Sequence, residues 1–371
     1  MRVWIFAIEV EPSLLRELGF TDVAMGTLDV RVVKAIREMG IKAHFVVAAF
    51  RLPRTGEVSE LLAVDPNGAR HRWFDSGCPN NPELRRACLR AVEQALTVCE
   101  YDNVILDGIR FASPGSGLEA FATCFCDKCR CKASEMGFNF ERMRLEVKRL
   151  LEGFGYWELV LDSLAEIGAF SLPHLALSNF GIVEWLEFKA KCVEEHVESV
   201  RDLARSYGAG IGAYVFTPSL AWLVGQCYPR LAELLDFVKP MVYRLGKGVA
   251  CMNYELHELT RLLAERFGLN AISLLERFYN ALHVRGPGTL EELLEKGLPS
   301  EITSMEASAA RRLIPSGKLH PIIMLRDPHL EDVIRGMLEV GVDGLDFFAY
   351  KRELKNLAES GVKAVKSYFM H

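Results

Sequence analysis

The residues most able to do chemistry are four cysteines that crowd into eight positions. The segment CFCDKCRC holds Cys124, Cys126, Cys129 and Cys131. Thiolates two and three residues apart can converge on one ion within a tight turn, and zinc accepts tetrahedral sulfur ligands at about 2.3 Å. A site with four thiolates is structural, because it leaves no coordination position open for water or substrate.

A fourth ligand is needed beside Cys124, Cys126 and Cys129. Cys131 is nearest in sequence, but so short a turn folds four sulfurs around one ion only with difficulty. Cys78 is the better candidate, because its loop leads toward the fourth predicted strand and the other cysteines follow that strand. We therefore predict a structural zinc at Cys78, Cys124, Cys126 and Cys129. Two alternatives stay open: reduced thiols without a ligand, and an iron–sulfur cluster.

Eight strand-like runs recur along the chain, separated by helical patterns. The runs are rich in Val, Ile and Phe and mostly continuous, as expected for parallel strands that helices cover on both faces. They lie at residues 3–10, 22–25, 43–50, 103–111, 210–216, 237–243, 321–325 and 344–350. Helical spacing of apolar residues is found over residues 29–39, 82–99 and 328–340, and it predicts a last helix over 354–370.

Eight strands that alternate with helices are typical of an α/β protein with a (β/α)8 barrel, the TIM barrel, so we predict one barrel over residues 1–371. An open doubly wound sheet is the alternative, but no GxGxxG turn follows the first strand to favour it. Two insertions explain the length beyond about 250 residues. One at 112–190 follows the fourth strand and holds the cysteine cluster, and a helical one at 245–318 follows the sixth. Both leave strand C-termini, where barrel enzymes build their sites.

The composition narrows the functional classes. The 371 residues carry 44 Lys and Arg against 49 Asp and Glu, a formal charge of -5, and 50% of them are hydrophobic. Because no long basic run is present, nucleic acid is not an expected partner. No apolar run reaches the roughly 18–20 residues that span a bilayer, and the N-terminus lacks an export signal, so we expect a cytoplasmic protein without a membrane partner. In that reducing compartment, disulfides are not expected.

Three segments resemble glycoside-hydrolase barrels. GCPNNPELRR at 77–86 and CFCDKC at 124–129 resemble the β-galactosidases of glycoside hydrolase family forty-two, in which a Cys-Pro-Asn segment before the fourth strand and a CxCxxC after it bind zinc. VILDGIRF at 104–111 is similar to uncharacterised glycosyl-hydrolase-like barrels. The resemblance covers roughly residues 43–130, with weaker similarity in KPMVYR and GVDGLDFFAY. It implies a barrel, a carbohydrate substrate, a structural zinc and, since the β-galactosidases self-associate, a homo-oligomer.

The chain departs from the β-galactosidases at the catalytic positions. Their fourth strand ends in Asn-Glu, with the Glu as general acid/base, and their seventh strand ends in a nucleophilic Glu. Here the fourth strand reads LDGIR, and the seventh ends in Leu325, Arg326 and Asp327. The galactosidase activity is therefore not expected, whereas the barrel and the zinc site are.

Carboxylates near strand ends are the candidate catalytic residues. Glycoside hydrolysis needs one acid that protonates the leaving oxygen and a second carboxylate that attacks the sugar or activates water. Asp107 in the apolar fourth strand is the first candidate, with Arg110 as the cation that orients it or tunes its charge. Glu9 or Asp346 is the candidate second carboxylate, and the Tyr243 phenol is placed to assist. Structural interpretations also stay open: a loop-fixing Asp107–Arg110 pair, a solvated Glu9 and a buried anchor at Asp346.

Arg244, Trp73 and Tyr350 are candidate substrate-binding residues, since guanidinium groups suit sugar hydroxyls and aromatic rings stack on sugar faces. His44 and Asp327 are expected instead as a core histidine and a helix N-cap. We predict a glycoside-hydrolase-like enzyme that acts on a carbohydrate by a two-carboxylate mechanism. The alternatives are a carbohydrate-binding barrel that has lost catalysis and a metal-dependent enzyme of other chemistry.

Overall fold

The structure is a computed structural model that describes residues 2–7, 11–165 and 180–349, and it contains eight parallel strands in one sheet. In chain order these are β1 Arg2–Ala7, β2 Asp22–Met25, β3 Lys42–Ala48, β4 Asn103–Asp107, β5 Gly210–Val215, β6 Phe237–Pro240, β7 Ile322–Met324 and β8 Gly344–Ala349. Their order in the sheet is β6-β5-β4-β3-β2-β1-β8-β7. Parallel bridges from Val238 to Leu319 and from Met241 to Ile322 bring β6 beside β7. The predicted (β/α)8 barrel is confirmed.

Helices occupy the connections between the strands. The α-helices are Pro12–Leu18, Val30–Glu38, Pro82–Val98, Leu118–Phe121, Asp127–Glu135, Phe140–Glu152, Gly155–Ala165, Phe180–Ser206, Pro218–Ala221, Tyr228–Leu234, Met252–Phe267, Ala271–Leu282, Leu290–Lys296, Glu301–Leu313 and Leu330–Val340. Short 3-10 turns lie at Ser59–Leu61, Pro114–Ser116 and Trp222–Val224, and a small hairpin pairs Ala63–Val64 with Arg70–His71. None of the described helices combines the length and apolar character that a membrane crossing requires. The predicted helix at 354–370 lies outside the described residues.

Local sequence sets the bounds of the helix that carries the chain to β4. Its first residue is Pro82, whose fixed φ suits the first turn, and the side chain of Asn81 accepts a hydrogen bond from the backbone N–H of Glu83 at 2.9 Å. A buried stripe then recurs at Leu84, Cys88, Val92 and Ala95. The loop that contains Cys78 leads directly into the N-terminus of this helix.

The strand β4 ends earlier than its apolar run predicts. The run continues to residue 111, but the strand stops at Asp107 because Gly108 takes a left-handed conformation with φ of 62°. Asp107 is therefore the last residue of the strand and not, as expected, a residue within it. This turn directs its carboxylate to the C-terminal mouth of the barrel.

The barrel interior contains polar groups as well as apolar ones. His44 is fully buried, its Nε2 lies 2.8 Å from Asp22 Oδ1, and its Nδ1 lies 2.8 Å from the Asn103 amide. Its ring stacks on Trp4 with centroids 4.1 Å apart. Burial lowers the pKa of His44 to about 4, although its hydrogen bond to Asp22 opposes the shift. It is thus a neutral, fully partnered core histidine, as predicted.

Candidate active site and cysteine site

A pocket of about 520 Å³ opens at the C-terminal ends of the strands, where barrel enzymes bind their substrates. The strand ends contribute Phe6, Asp107, Tyr214, Met241, Tyr243, Met324 and Phe348 to its lining. Phe6 and Tyr214 stack with ring centroids 5.4 Å apart, and Phe6 and Phe348 lie 5.3 Å apart. These three rings form an aromatic wall of the pocket.

Asp107 presents its carboxylate to this pocket. Its Oδ1 accepts a hydrogen bond from the backbone N–H of Gly108 at 2.9 Å, and the side chain is partly exposed. Burial raises the pKa of Asp107, while the charge of Arg110 acts in the opposite direction. A carboxyl with a raised pKa retains its proton to a higher pH, which suits a general acid. Among the described residues that line the pocket, Asp107 is the one carboxylate.

Arg110 lies near Asp107 but forms no direct ion pair with it. The guanidinium is 3% exposed and lies between the rings of Trp73 and Phe216, each with its centroid 4.7 Å from Cζ. Burial lowers the pKa of Arg110 to about 10, and the charges of Glu255 and Asp107 oppose this shift. Within the described structure the two side chains form no ion pair at 4.0 Å or less, so Arg110 acts on Asp107 through its charge rather than a direct hydrogen bond.

Asp346 lies deeper, beneath the pocket. Its Oδ2 accepts hydrogen bonds from Lys239 Nζ at 2.8 Å and from the Tyr214 hydroxyl at 3.0 Å. Both members of the Lys239–Asp346 pair are 0% exposed, and the ammonium also lies 3.6 Å from the Trp4 ring centroid. This placement matches the buried-anchor interpretation of Asp346, because its nearest groups are protein side chains and not open space.

Arg244, which was predicted to bind the substrate, also forms its hydrogen bonds within the protein. It is buried, and its Nε and Nη2 lie 3.1 and 2.5 Å from Asp327 Oδ1. Its Nη1 donates to the carbonyl of Leu298 at 2.6 Å. Asp327 Oδ1 also accepts from the backbone N–H of His329, at the start of the helix Leu330–Val340. Arg244 is not among the described pocket-lining residues and connects two loops instead.

The other predicted site residues have different surroundings. Trp73 is buried and donates its indole N–H to the carbonyl of Gly77 at 2.9 Å, so its ring supports Arg110 rather than lining the pocket. Tyr243 does line the pocket. Glu9 and Tyr350 lie outside the described residues.

Several functional candidates were not anticipated from the sequence. Lys247 and Arg326 line the pocket as exposed cations, and both follow strand ends in chain order. Their position shortly after the KPMVYR run and after β7 is the signal that could have identified them. Glu255 gives no such signal, because it lies on an ordinary amphipathic helix far along the chain.

Glu255 anchors the loop that borders the pocket. It is buried, and its Oε1 accepts from the Ser113 hydroxyl at 2.8 Å and from the backbone N–H of Ala250 at 3.0 Å. Its Oε2 accepts from the backbone N–H of Gly115 at 2.7 Å. Burial raises the pKa of Glu255, and these hydrogen bonds act against the rise. It therefore joins the helix Met252–Phe267 to the loop that follows β4.

The four predicted cysteines converge on one point. The sulfurs of Cys78, Cys124, Cys126 and Cys129 all lie within 4.8 Å of one another. The Cys78 sulfur is 3.6 Å from that of Cys126 and 3.5 Å from that of Cys129. Tetrahedral ligation at about 2.3 Å places sulfur atoms about 3.8 Å apart, so the group has the size of a site that could bind a metal ion. Cys131 is exposed and lies outside it.

Neighbouring polar hydrogens point at these sulfurs. The backbone N–H of Val64, in the small hairpin, donates to Cys124 Sγ at 3.3 Å. The Asn80 amide donates to Cys129 Sγ at 3.3 Å and to Cys192 Sγ at 3.2 Å. Such donors stabilise negative charge on sulfur and orient ligands around a metal. The cysteine site thus joins the hairpin, the Cys78 loop and the helix Asp127–Glu135.

Comparisons with known proteins identify a shared fold. The sequence matches no family model and no curated protein. The glycoside hydrolase domain of PgaB (BpsB) from Bordetella bronchiseptica superposes with a TM-score of 0.56 at 10% identity, over 98% of this chain and 97% of that one. The β-galactosidase from the psychrophilic Marinomonas ef1 gives 0.52 at 12% identity, and that from Rahnella sp. R3 gives 0.53 at 12%.

The extent of these superpositions differs. The two β-galactosidase matches cover 94% of this chain but only 54% and 50% of those chains, so this chain spans about half of their length. At such low identity the similarity shows the barrel architecture, which these glycoside hydrolases share with this chain.

Proposed function

We propose that this chain is a glycoside-hydrolase-like enzyme that cleaves a carbohydrate with two carboxylates, of which Asp107 is one. The observation that carries the proposal is the Asp107 carboxylate, with its raised pKa, in an aromatic-walled pocket at the strand C-termini. The barrel fold, shared with glycoside hydrolases, supports the same class of reaction.

Asp107 is assigned the general acid role. A carboxyl that keeps its proton can donate it to the glycosidic oxygen as the bond to the sugar breaks. The positive charge of Arg110, held between two aromatic rings, keeps the pKa of Asp107 from rising further, so the group can also give up its proton. The aromatic wall holds the sugar ring, and the Tyr243 hydroxyl lies within the same lining.

The second carboxylate has two candidates. Asp346 is fully buried and is not among the described residues that line the pocket, and its Oδ2 is paired with Lys239 and Tyr214. Glu9 comes two residues after the last residue of β1, a strand whose C-terminal end contributes to the pocket through Phe6. We therefore favour Glu9 as the nucleophile or as the base that activates water.

We also propose zinc as the metal of the cysteine site. Four sulfurs in this geometry suit zinc, and a closed set of four thiolates gives it a structural role. In that role it joins the loop that follows β3 to the loop that follows β4 and takes no part in bond cleavage. Elemental analysis of the purified protein should find about one zinc per chain. A brown protein that contains iron would replace zinc with an iron–sulfur cluster.

The test of the catalytic proposal uses the purified full chain. We expect turnover of at least one member of a panel of nitrophenyl glycosides and oligosaccharides, and loss of about 100-fold or more in kcat for Asp107→Asn. Asp75→Asn is the matched control, since Asp75 is exposed beside the pocket-lining Phe74. Turnover that survives Asp107→Asn unchanged removes Asp107 from the mechanism.

A carbohydrate-binding barrel without catalysis is the second candidate. It is favoured by the single carboxylate among the described lining residues and by the pairing of Asp346 with Lys239. Calorimetric binding of an oligosaccharide to the wild-type chain, without hydrolysis of any member of the panel, would establish this candidate in place of the enzyme.

A further inference from the structure

Cations outnumber anions among the described residues that line the pocket. Among the described residues that line it, Arg110, Lys247 and Arg326 are cationic and Asp107 is anionic. The whole chain, by contrast, has a formal charge of -5. A cleft lined by one sign of charge concentrates ligands of the other sign. The positive lining is therefore a feature of this pocket and not of the average surface.

The three cations differ in their surroundings. Arg110 is buried and faces the negative charges of Glu255 and Asp107, so its charge is balanced within the protein. Lys247 is exposed in the pocket lining and forms no ion pair or hydrogen bond with the described part of the chain. Arg326 is exposed two residues beyond the end of β7. Lys247 in particular has its ammonium available to a ligand.

The barrel topology places Lys247 and Arg326 on different strand ends from Asp107. Lys247 follows β6 and Arg326 follows β7, and bridges hold these two strands side by side. Asp107 ends β4, which is separated from β6 by β5. A sugar on the aromatic wall can thus approach Asp107 with its glycosidic oxygen and the two cations with a substituent on its other side.

We propose that the substrate is an acidic saccharide, whose carboxylate or sulfate group binds Lys247 and Arg326. This inference rests on the proposed function and names its substrate class. A neutral sugar leaves the Lys247 ammonium without a partner, and an amino sugar brings a like charge to it. An anionic group gains charge-assisted hydrogen bonds there, which are about twice as strong as neutral ones.

The test compares matched substrates on the full chain. We expect nitrophenyl glucuronide and galacturonide to have kcat/KM values about tenfold or more above those of the neutral glucoside and galactoside, the effect of one charged hydrogen bond. In Lys247→Met, this acidic-to-neutral ratio should fall about tenfold, mainly through a higher KM. Sulfated sugars in the same panel separate a preference for sulfate from one for carboxylate. Lys34→Met, at an exposed helical position, is the control.

The outcomes separate this inference from the proposed function. If neutral and acidic sugars have equal kcat/KM, or if Lys247→Met lowers both equally, the acidic substrate is excluded while the hydrolase remains. If no glycoside is cleaved, the hydrolase fails, and calorimetry with uronate and neutral oligosaccharides then decides. Tighter uronate binding that Lys247→Met weakens supports the acidic ligand, and equal binding of both overturns it.

Discussion

The cysteine site and the pocket at the barrel mouth both include residues from the end of β4 or the loop after it, but only the cysteine site is closed by its own side chains. In the cysteine site, four sulfurs face one another within 4.8 Å, and nearby N–H groups point at two of them. At the mouth, Asp107 has one backbone hydrogen bond and borders a pocket of about 520 Å³. Ligand atoms that face only one another can stabilise the fold, for example around a metal ion. A partly buried carboxylate that borders a pocket can instead act on a bound ligand.

The same distinction separates the two aspartates proposed from the sequence. Burial raises the pKa of both Asp107 and Asp346. The direction of the shift therefore does not separate them, but their neighbours do. Asp346 is closed in by Lys239 and Tyr214, like a ligand in the cysteine site, whereas Asp107 opens onto the pocket.

The largest expected effect is at the closed cysteine site. In Cys129→Ala the metal should be lost, and the free energy of unfolding should fall by more than about 5 kcal/mol, because structural zinc contributes about 10–16 kcal/mol in zinc-finger peptides. Urea unfolding and elemental analysis measure the two effects. A chelator should destabilise the wild type and leave Cys129→Ala almost unchanged.

Two variants control this experiment. Cys88→Ala removes an equally buried thiol from a helix outside the site, so it should cost only the packing of one sulfur. Cys131→Ala removes the exposed thiol on the same helix as Cys129 and should change neither stability nor metal content. If Cys129→Ala matches Cys88→Ala in both measurements, the cysteine site holds no structural metal.

The next effect concerns the buried Lys239–Asp346 pair. Lys239→Met leaves the Asp346 carboxyl buried without its cation, which should cost about 3–5 kcal/mol of unfolding free energy near neutral pH. Burial already raises the pKa of Asp346, and loss of the cation raises it further. A carboxyl with a raised folded-state pKa favours folding at low pH and loses that contribution as the pH rises. The variant should therefore be closest to wild type in acid, and the difference should grow as the pH rises toward neutral, where wild type still has a charged Lys239 beside the carboxylate.

Urea unfolding at several pH values measures this difference. The double variant Lys239→Met with Asp346→Asn should recover much of the loss, because it buries no unpaired charge. Equal stability of Lys239→Met and wild type across the pH range would show that Asp346 is not closed in, and would return it to the list of catalytic candidates.

Sequence patterns predicted the features that depend on residues close together in the chain. The spacing of Cys124, Cys126 and Cys129 predicted their convergence, and the barrel placed Cys78 beside them. The apolar runs predicted the eight strands, since parallel strands covered by helices are apolar throughout. Asp107 was identifiable because it is an acid within such an apolar run, although the run did not show that the strand ends there.

Contacts between residues that lie far apart in the sequence could not be predicted from it. Asp346 on β8 meets Lys239 on β6, a pair that only the closed barrel brings together. Arg244 follows the pocket-lining Tyr243, but its guanidinium pairs with Asp327, more than eighty residues further along the chain. No periodic pattern specifies either contact.

The smallest expected effect is a change in the pKa of Asp107, at the pocket, when the charge of Arg110 is removed. That charge lowers the pKa of Asp107 against the rise caused by burial, so Arg110→Met should raise the pKa of Asp107 further. The limb of the kcat/KM profile that depends on Asp107 should move to higher pH by about one unit, equivalent to about 1.4 kcal/mol. Arg110→Lys keeps the charge and should leave that limb near its wild-type position.

Exposed Arg72, one residue before the Trp73 ring that supports Arg110, provides the matched control as Arg72→Met. A limb that moves in Arg110→Met but in neither Arg110→Lys nor Arg72→Met identifies the Arg110 charge as its cause. If the limb stays fixed in Arg110→Met while the variant remains folded, the guanidinium does not set the protonation of Asp107. Arg110 would then have a structural role, like the buried Lys239–Asp346 pair, and would support the loop that follows β4.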